Sequence, residues 1–229
     1  MKYIDDKSID MILCDLPYGT TKNKWDTIID LKSLWIQYKR IIKDNGAIVL
    51  TAQTPFDKVL GSSNLEWLKY EWIWQKDQGT GHLNAKKMPL KNHENILVFY
   101  KNVPTYNPQM IGEEIRKVKR SGNQLKTTNY GTFIELSESE YKGRYPTTIQ
   151  KFGRDKEKLH PTQKPIELFS YLINTYTNKE EIVLDNCIGS GTTAIACLNT
   201  NRQYIGIEKD NKYYELANKR IEEYKIKEY

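Results

Sequence analysis

Residues 181–193 read Glu181-Ile182-Val183-Leu184-Asp185-Asn186-Cys187-Ile188-Gly189-Ser190-Gly191-Thr192-Thr193, and this stretch decides the fold. Its apolar run, 182–184, has the composition of a buried parallel strand. Two glycines then turn the chain, and Thr192 opens a helix expected to run to about Leu198. A strand, a glycine bend and a helix N-terminus make a cradle where the backbone approaches a nucleotide-like ligand closely. One strand later, Gln203-Tyr204-Ile205-Gly206-Ile207 ends in Glu208, a carboxylate placed to accept from ribose hydroxyls.

A phosphate-binding Walker loop requires a lysine after the last glycine, and none follows Gly191. Gly189-x-Gly191-x-x-Ala194 does fit a relaxed dinucleotide fingerprint, which keeps a nicotinamide-dependent enzyme among the readings. A second stretch discriminates. The largely apolar run Ile9-Asp10-Met11-Ile12-Leu13-Cys14 delivers Asp15 at its carboxyl end, where open α/β sheets bind ligands. There the chain reads Asp15-Leu16-Pro17-Tyr18, and a nicotinamide enzyme gives those residues no role.

Asp-x-x-x-Gly-Ser-Gly-Thr-Thr (185–193) resembles the S-adenosylmethionine loop of amino-group DNA methyltransferases, with Asn186 and Cys187 where that family usually has Pro-Phe. Asp15-Leu16-Pro17-Tyr18 resembles the same family's Asp/Asn/Ser-Pro-Pro-Tyr/Phe motif, with Leu16 replacing the first proline. Leu159-His160-Pro161-Thr162-Gln163-Lys164-Pro165 resembles its His-Pro-Thr-Gln-Lys-Pro segment. The order is catalytic motif, insert, then cofactor loop, which is that of the β group. The resemblance implies an α/β, Rossmann-like methyltransferase sheet with helices on both faces and a basic target-recognition insert. It implies S-adenosylmethionine as cofactor, held by Asp15, Thr162, Lys164, Asp185, Cys187, Gly189, Ser190, Gly191, Thr192 and Glu208. Thr162 and Lys164 would reach the cofactor's carboxylate end.

The chemistry explains the first motif. An exocyclic base amine is a poor nucleophile, because its lone pair is delocalised into the ring. The Asp15 carboxylate and the carbonyl of Leu16 or Pro17 can each accept one amine hydrogen and turn the lone pair towards a methyl group. Tyr18 offers a face for an extruded base, a stack worth roughly 1–3 kcal/mol. The resemblance implies N6 of adenine rather than N4 of cytosine as the target, because the family more often has Ser at the first position for the latter. Cytosine C5 chemistry needs a thiolate after proline, whereas Cys14 precedes Asp15. N4-cytosine and RNA N6-adenine methylation stay open as alternatives, as does a homologue that binds DNA without turnover. The last follows from the short run ahead of Ile9: related enzymes carry a further strand there, ending in Gly-Asp, and the chain is expected to lack it.

Composition narrows the partners. The chain has 229 residues, 28% charged, and a net charge of +6. Residues 101–158 hold twelve Lys and Arg against seven Asp and Glu, so nearly all of the excess lies in this segment. Arg116, Lys117, Lys119 and Arg120, with Tyr130, Tyr141 and Tyr145 nearby, suit phosphate and base-edge contacts with double-stranded DNA. Lys86 and Lys87 are further phosphate candidates, in a segment from Lys76 to Asn95 expected to be a long loop. The expected organisation is a catalytic half (1–100), the insert (101–158) and a cofactor half (159–229). Three cysteines and three histidines without Cys-x-x-Cys predict no metal site, and the cysteines read as small buried hydrophobes in a reducing cytoplasm. No apolar stretch approaches the ~18 residues of a membrane span. A homodimer and a cognate restriction endonuclease are compatible partners.

Elsewhere, Leu31, Leu34, Trp35, Tyr38, Ile41 and Ile42 fall at helical spacing, with Asp44-Asn45-Gly46 expected to stop that helix. Strands are expected at 47–51, 72–74 and 96–100, and helices from Thr54-Pro55, over Ile166–Tyr176 and over Tyr213–Tyr224. Residues 19–26 read as a polar loop of the sort that closes over a substrate.

Overall fold

The computed structural model describes residues 1–20, 26–118, 126–127, 131–132, 139–155 and 163–227. In chain order the first part comprises β1 (Ile9–Cys14), α1 (Leu31–Ile41), β2 (Ile42–Ala52), α2 (Phe56–Ser62), β3 (Leu68–Thr80) and β4 (Lys91–Phe99). Then come β5 (Ile111–Val118), β6 (Lys126–Thr127), β7 (Gly131–Thr132) and β8 (Ser139–Arg144). The last part is β9 (Ile149–Lys151), α3 (Ile166–Tyr176), β10 (Ile182–Asp185), α4 (Thr192–Asn199), β11 (Gln203–Gly206) and α5 (Asn211–Lys227).

Seven strands form one sheet in the order β11-β10-β1-β2-β4-β3-β9. β11, β10, β1 and β2 run parallel, β4 is antiparallel to both β2 and β3, and β9 runs parallel to β3. Period-two alternation splits the strand side chains between two faces. Ile12 and Cys14 of β1, Ile48 and Leu50 of β2, and Leu97 and Phe99 of β4 pack with Leu34, Trp35 and Tyr38 of α1 and with Phe56 and Leu60 of α2. Met11, Leu13, Ala47, Val49, Ile96 and Val98 face the other way, onto Phe169, Leu172, Ile173 and Tyr176 of α3 and Ala196 of α4. Helices therefore cover both faces, as a sheet buried on both sides requires. Tyr176 is 1% exposed, and its hydroxyl accepts from Trp72 Nε1 at 2.7 Å and pairs with Tyr70 at 2.6 Å.

Three boundaries differ from the sequence reading. α1, capped at its start by Asp30 accepting from the Ser33 N–H, ends at Ile41, and Ile42 is already extended. Asp44-Asn45-Gly46 therefore lies inside β2, where the pairing with β1 shifts register between Ile9 and Met11. Gly46 permits that: a Cβ there would stand 2.7 Å from the Asp10 carbonyl. The expected loop 76–95 is mostly hairpin, because β3 continues to Thr80 and β4 begins at Lys91, leaving a short connection with a 3-10 turn at His82–Asn84. Helical and strand assignments at 166–176 and 203–206 agree with expectation, while α5 is longer than expected.

The chain divides into two compact units, 1–107 with 148–229, and 108–147. The boundary falls inside the expected insert range, since β9 joins the main sheet beside β3. Within the smaller unit, β5 and β8 pair antiparallel, as do β6 and β7. Among the described residues, no helix is long and apolar enough to cross a membrane.

Candidate active site

Both motifs open into one cavity of about 1060 Å³ in the larger unit. β1 and β10 are neighbours in the sheet, so Asp15 and Asp185 leave its carboxyl edge side by side. Asp15 Oδ1 accepts from the Tyr18 hydroxyl at 2.6 Å and the Thr51 hydroxyl at 2.5 Å. Asp15 Oδ2 accepts from Lys164 Nζ at 2.5 Å. Leu16 turns its side chain into the core, 2% exposed, and with Pro17 forms part of the cavity wall. Tyr18 stacks on Phe56 with ring centroids 5.5 Å apart, and the Lys164 ammonium lies over the Tyr18 ring. Burial, then the Asp15 and Glu94 charges, raises the Tyr18 phenol well above its ordinary range, so it stays a donor.

Behind Asp15 stand two residues that the sequence reading did not assign. Glu94, at the cavity end of β4, accepts from Lys76 through Oε1, and its Oε2 lies 3.4 Å from Lys164 Nζ. Burial alone would raise the Glu94 carboxyl, but Lys164 and Lys76 outweigh it and hold the group below its ordinary value. Burial likewise opposes the Lys164 charge, yet Asp15 and Glu94 carry its pKa above the usual lysine value. Lys76 shifts the other way, lowered chiefly by burial. The signal in the sequence was alternation. Trp72, Trp74 and Lys76 occupy one buried face of β3, so the lysine continues an inward row.

The glycine bend is built around its own acids. Asp185 is 3% exposed; its Oδ1 accepts from the Cys187 N–H at 3.0 Å and its Oδ2 from the Thr193 hydroxyl. Burial pushes its carboxyl up to about 6 despite those bonds. Glu208 accepts from the N–H groups of Gly189, Lys209 and Asp210, each at 2.9 Å, so this carboxylate, expected to serve a ribose, also fixes the bend. Gly191 has φ +83° and a Cβ there would lie 3.3 Å from Ala217, which requires glycine. Arg220 of α5 donates to the Ser190 carbonyl at 3.0 Å and reaches the Ser190 and Thr192 hydroxyls at 3.3 Å.

Of the expected site residues, Asp15, Leu16, Pro17, Tyr18, Lys164, Asp185, Cys187, Gly189, Ser190, Thr192 and Glu208 all line this cavity. Gly191 shapes the turn just behind it. Cys187 is half-buried at the wall, whereas Cys14 and Cys197 are buried as expected. Lys86 and Lys87 are exposed on the β3–β4 connection. In the smaller unit, Arg116 lies 3.3 Å from Glu114 within β5, and Lys117 of β5 lies 3.4 Å from Glu140 of β8. Thr162, Lys119, Arg120 and part of the 19–26 loop lie outside the described residues.

A sheet of this kind, with a glycine cradle and an acid on the adjoining strand, defines an α/β enzyme that brings a nucleotide-like ligand against a second substrate. Residues 9–219 match the N6/N4 methyltransferase family, described as DNA methylase, and the chain belongs to this family of S-adenosylmethionine-dependent amino-group DNA methyltransferases. It is similar to the type II methyltransferase M.HpaI of Haemophilus parainfluenzae, 29% identical over 97% of this chain and 71% of the relative. The DNA adenine methyltransferase YhdJ of Escherichia coli is 28% identical over 97% of this chain and 79% of the relative. The crystal structure of the M1.HpyAVI–SAM complex superposes with a TM-score of 0.63 at 24% identity, covering 93% of this chain and 89% of that one.

Proposed function

We propose that this chain methylates N6 of adenine in a base drawn out of double-stranded DNA. The observation that carries the reading is Asp15, a carboxylate gripped by Tyr18, Thr51 and Lys164 in the same cavity as the cofactor bend. With about two acceptor directions on each carboxylate oxygen, these three bonds leave one direction, on Oδ2, among the described residues. An amine hydrogen donated there, and a second donated to the carbonyl of Leu16 or Pro17, would localise the nitrogen lone pair. Tyr18 would hold the ring of the extruded base.

The residues at the bend suit S-adenosylmethionine: a tight φ-positive glycine turn, a helix start at Thr192 and the Glu208 carboxylate at the wall. Asp185, Cys187, Gly189, Ser190, Thr192 and Glu208 would hold it. When bound, it would supply an electrophilic sulfonium methyl for transfer to the amine nitrogen. Lys86, Lys87, Arg116, Lys117, Lys119 and Arg120 would contact phosphates, offsetting the few kcal/mol needed to extrude a base.

Transfer of labelled methyl to unmethylated genomic DNA, followed by digestion to nucleosides, tests this. Label in N6-methyldeoxyadenosine is expected. Label in N4-methyldeoxycytidine replaces the target base, and label only in RNA replaces the nucleic acid. Asp15→Ala should abolish turnover while cofactor binding, measured by calorimetry, persists.

A further inference from the structure

We propose that Glu94 is a positioning residue for methyl transfer: its buried carboxylate holds the Lys164 ammonium on Asp15 Oδ2 and so fixes the acceptor direction left for the substrate amine. The inference rests on the reading of Asp15 as the amine acceptor.

Four charged groups alternate in sign along the wall, Lys76, Glu94, Lys164 and Asp15, with Glu94 between the two lysines. Lys76, Glu94 and Lys164 are each no more than 9% exposed. Buried ion pairs are a poor way to stabilise a protein, because desolvation offsets their attraction and apolar side chains of similar volume do as well or better. Their placement beside the reacting carboxylate, on strands otherwise filled with Trp, Ile and Val, marks a functional arrangement.

The geometry shows what Glu94 contributes. Lys164 precedes Pro165, which has extended backbone at the start of α3, so its side chain reaches the end of β1 from a stiff base. At the far end its ammonium meets two carboxylates, 2.5 Å from Asp15 Oδ2 and 3.4 Å from Glu94 Oε2. Glu94 is itself anchored, since Oε1 takes the Lys76 ammonium from the paired strand. Neutralising Glu94 would remove the anion that stands between the two buried ammonium groups and leave Lys164 held by Asp15. Lys164 would then shift, and the free direction on Asp15 Oδ2 with it.

Among the described residues, the charged or titratable groups facing Lys164 include Asp15 and Tyr18 from the end of β1, Glu94 from β4 and Lys76 from β3, with Arg154 acting on Lys76 from beyond β9. Glu94→Gln removes one of the two anions and keeps both lysines, so Lys164 must lose its proton at lower pH. In steady-state methyl transfer, E94Q should lower kcat roughly 10- to 100-fold, as an ångström-scale misplacement does. KM for DNA should stay within about threefold, since none of the expected phosphate contacts is touched. The alkaline limb of the kcat–pH profile should move down, and the Lys164 ammonium, followed by 15N NMR with K164R to assign it, should titrate at lower pH. Glu94→Asp keeps the charge with a shorter reach, so it should lose kcat yet leave the alkaline limb in place; it also serves should E94Q fail to fold. Wild-type kcat in E94Q, or a loss of kcat with the Lys164 titration unmoved, overturns the proposal. A wild-type chain that transfers no methyl would instead refute the reading of Asp15, while the NMR titration still decides whether Glu94 holds Lys164.

Discussion

Asp185→Asn should change how stability depends on pH, in an amount the structure sets. The Asp185 carboxyl has an ordinary pKa of 3.8, raised to about 6 in the fold chiefly by burial. Because the folded value is the higher one, the stabilising contribution is fully present below pH 3.8 and is lost as the pH rises through about 6. At pH 8 the ionised, buried group costs the fold about 3 kcal/mol, some two units at ~1.4 kcal/mol each. At pH 5 the folded carboxyl is mostly protonated and the unfolded one mostly ionised, so the cost falls to roughly 1.6 kcal/mol. Wild type should therefore gain about 1.4 kcal/mol from this residue between pH 8 and pH 5, or about 3–6 °C in Tm for a chain of this size. D185N keeps one oxygen for the Cys187 N–H, and its amide can donate to the Thr193 hydroxyl, so the bend retains partners. Acids held low by lysines, such as Asp44 beside Lys7 and Lys101, contribute equally to both proteins and cancel. Thermal unfolding of both proteins at pH 5 and pH 8, at matched ionic strength, gives the difference of differences. An identical pH response in wild type and D185N would refute the claim that Asp185 is buried as a strained carboxylate.

Other substitutions follow from single contacts. Tyr176→Phe removes the acceptor of the buried Trp72 N–H and should cost about 1–3 kcal/mol in urea unfolding, with the m-value unchanged. Gly191→Ala places a Cβ at φ +83° and against Ala217; a loss of about 1–3 kcal/mol is expected, together with weakened cofactor binding by calorimetry. Changing both Lys86 and Lys87 to Gln should reduce the slope of log affinity for DNA against log salt by about 2, provided each touches a phosphate, and leave cofactor affinity intact.

The sequence was most informative where side-chain identity and backbone geometry coincide. Asp15 and Asp185 end short apolar strands, and strand ends in such sheets are where ligands go, so both acids could be placed at one edge before any pairing was known. The apolar face of α3 was equally plain from its spacing. Polar residues misled. Asp44-Asn45-Gly46 reads as a helix stop, yet the chain uses it to carry β2 past Asp10. Lys76 and Glu94 read as loop because neither is apolar; each is buried by neutralising the other across a hairpin, a pairing that emerges only in register. Glu208 was found in its place, but its bonds to three backbone N–H groups depend on a fold of the chain that no spacing rule records.

The seam at the centre of the sheet has a kinetic meaning. β1 lies between β2, its neighbour in sequence, and β10, whose pairing joins Met11 to Val183 and Ile12 to Leu184. A nascent chain can form the β1–β2 pair early, but the other flank of β1 stays bare until residues beyond 185 leave the ribosome. Throughout that interval Asp15 exists without its partner loop, and the half-built sheet presents an open apolar edge. The pairing of β10 with β1 is therefore a late, long-range step, and it is the one that sets Asp185 beside Asp15.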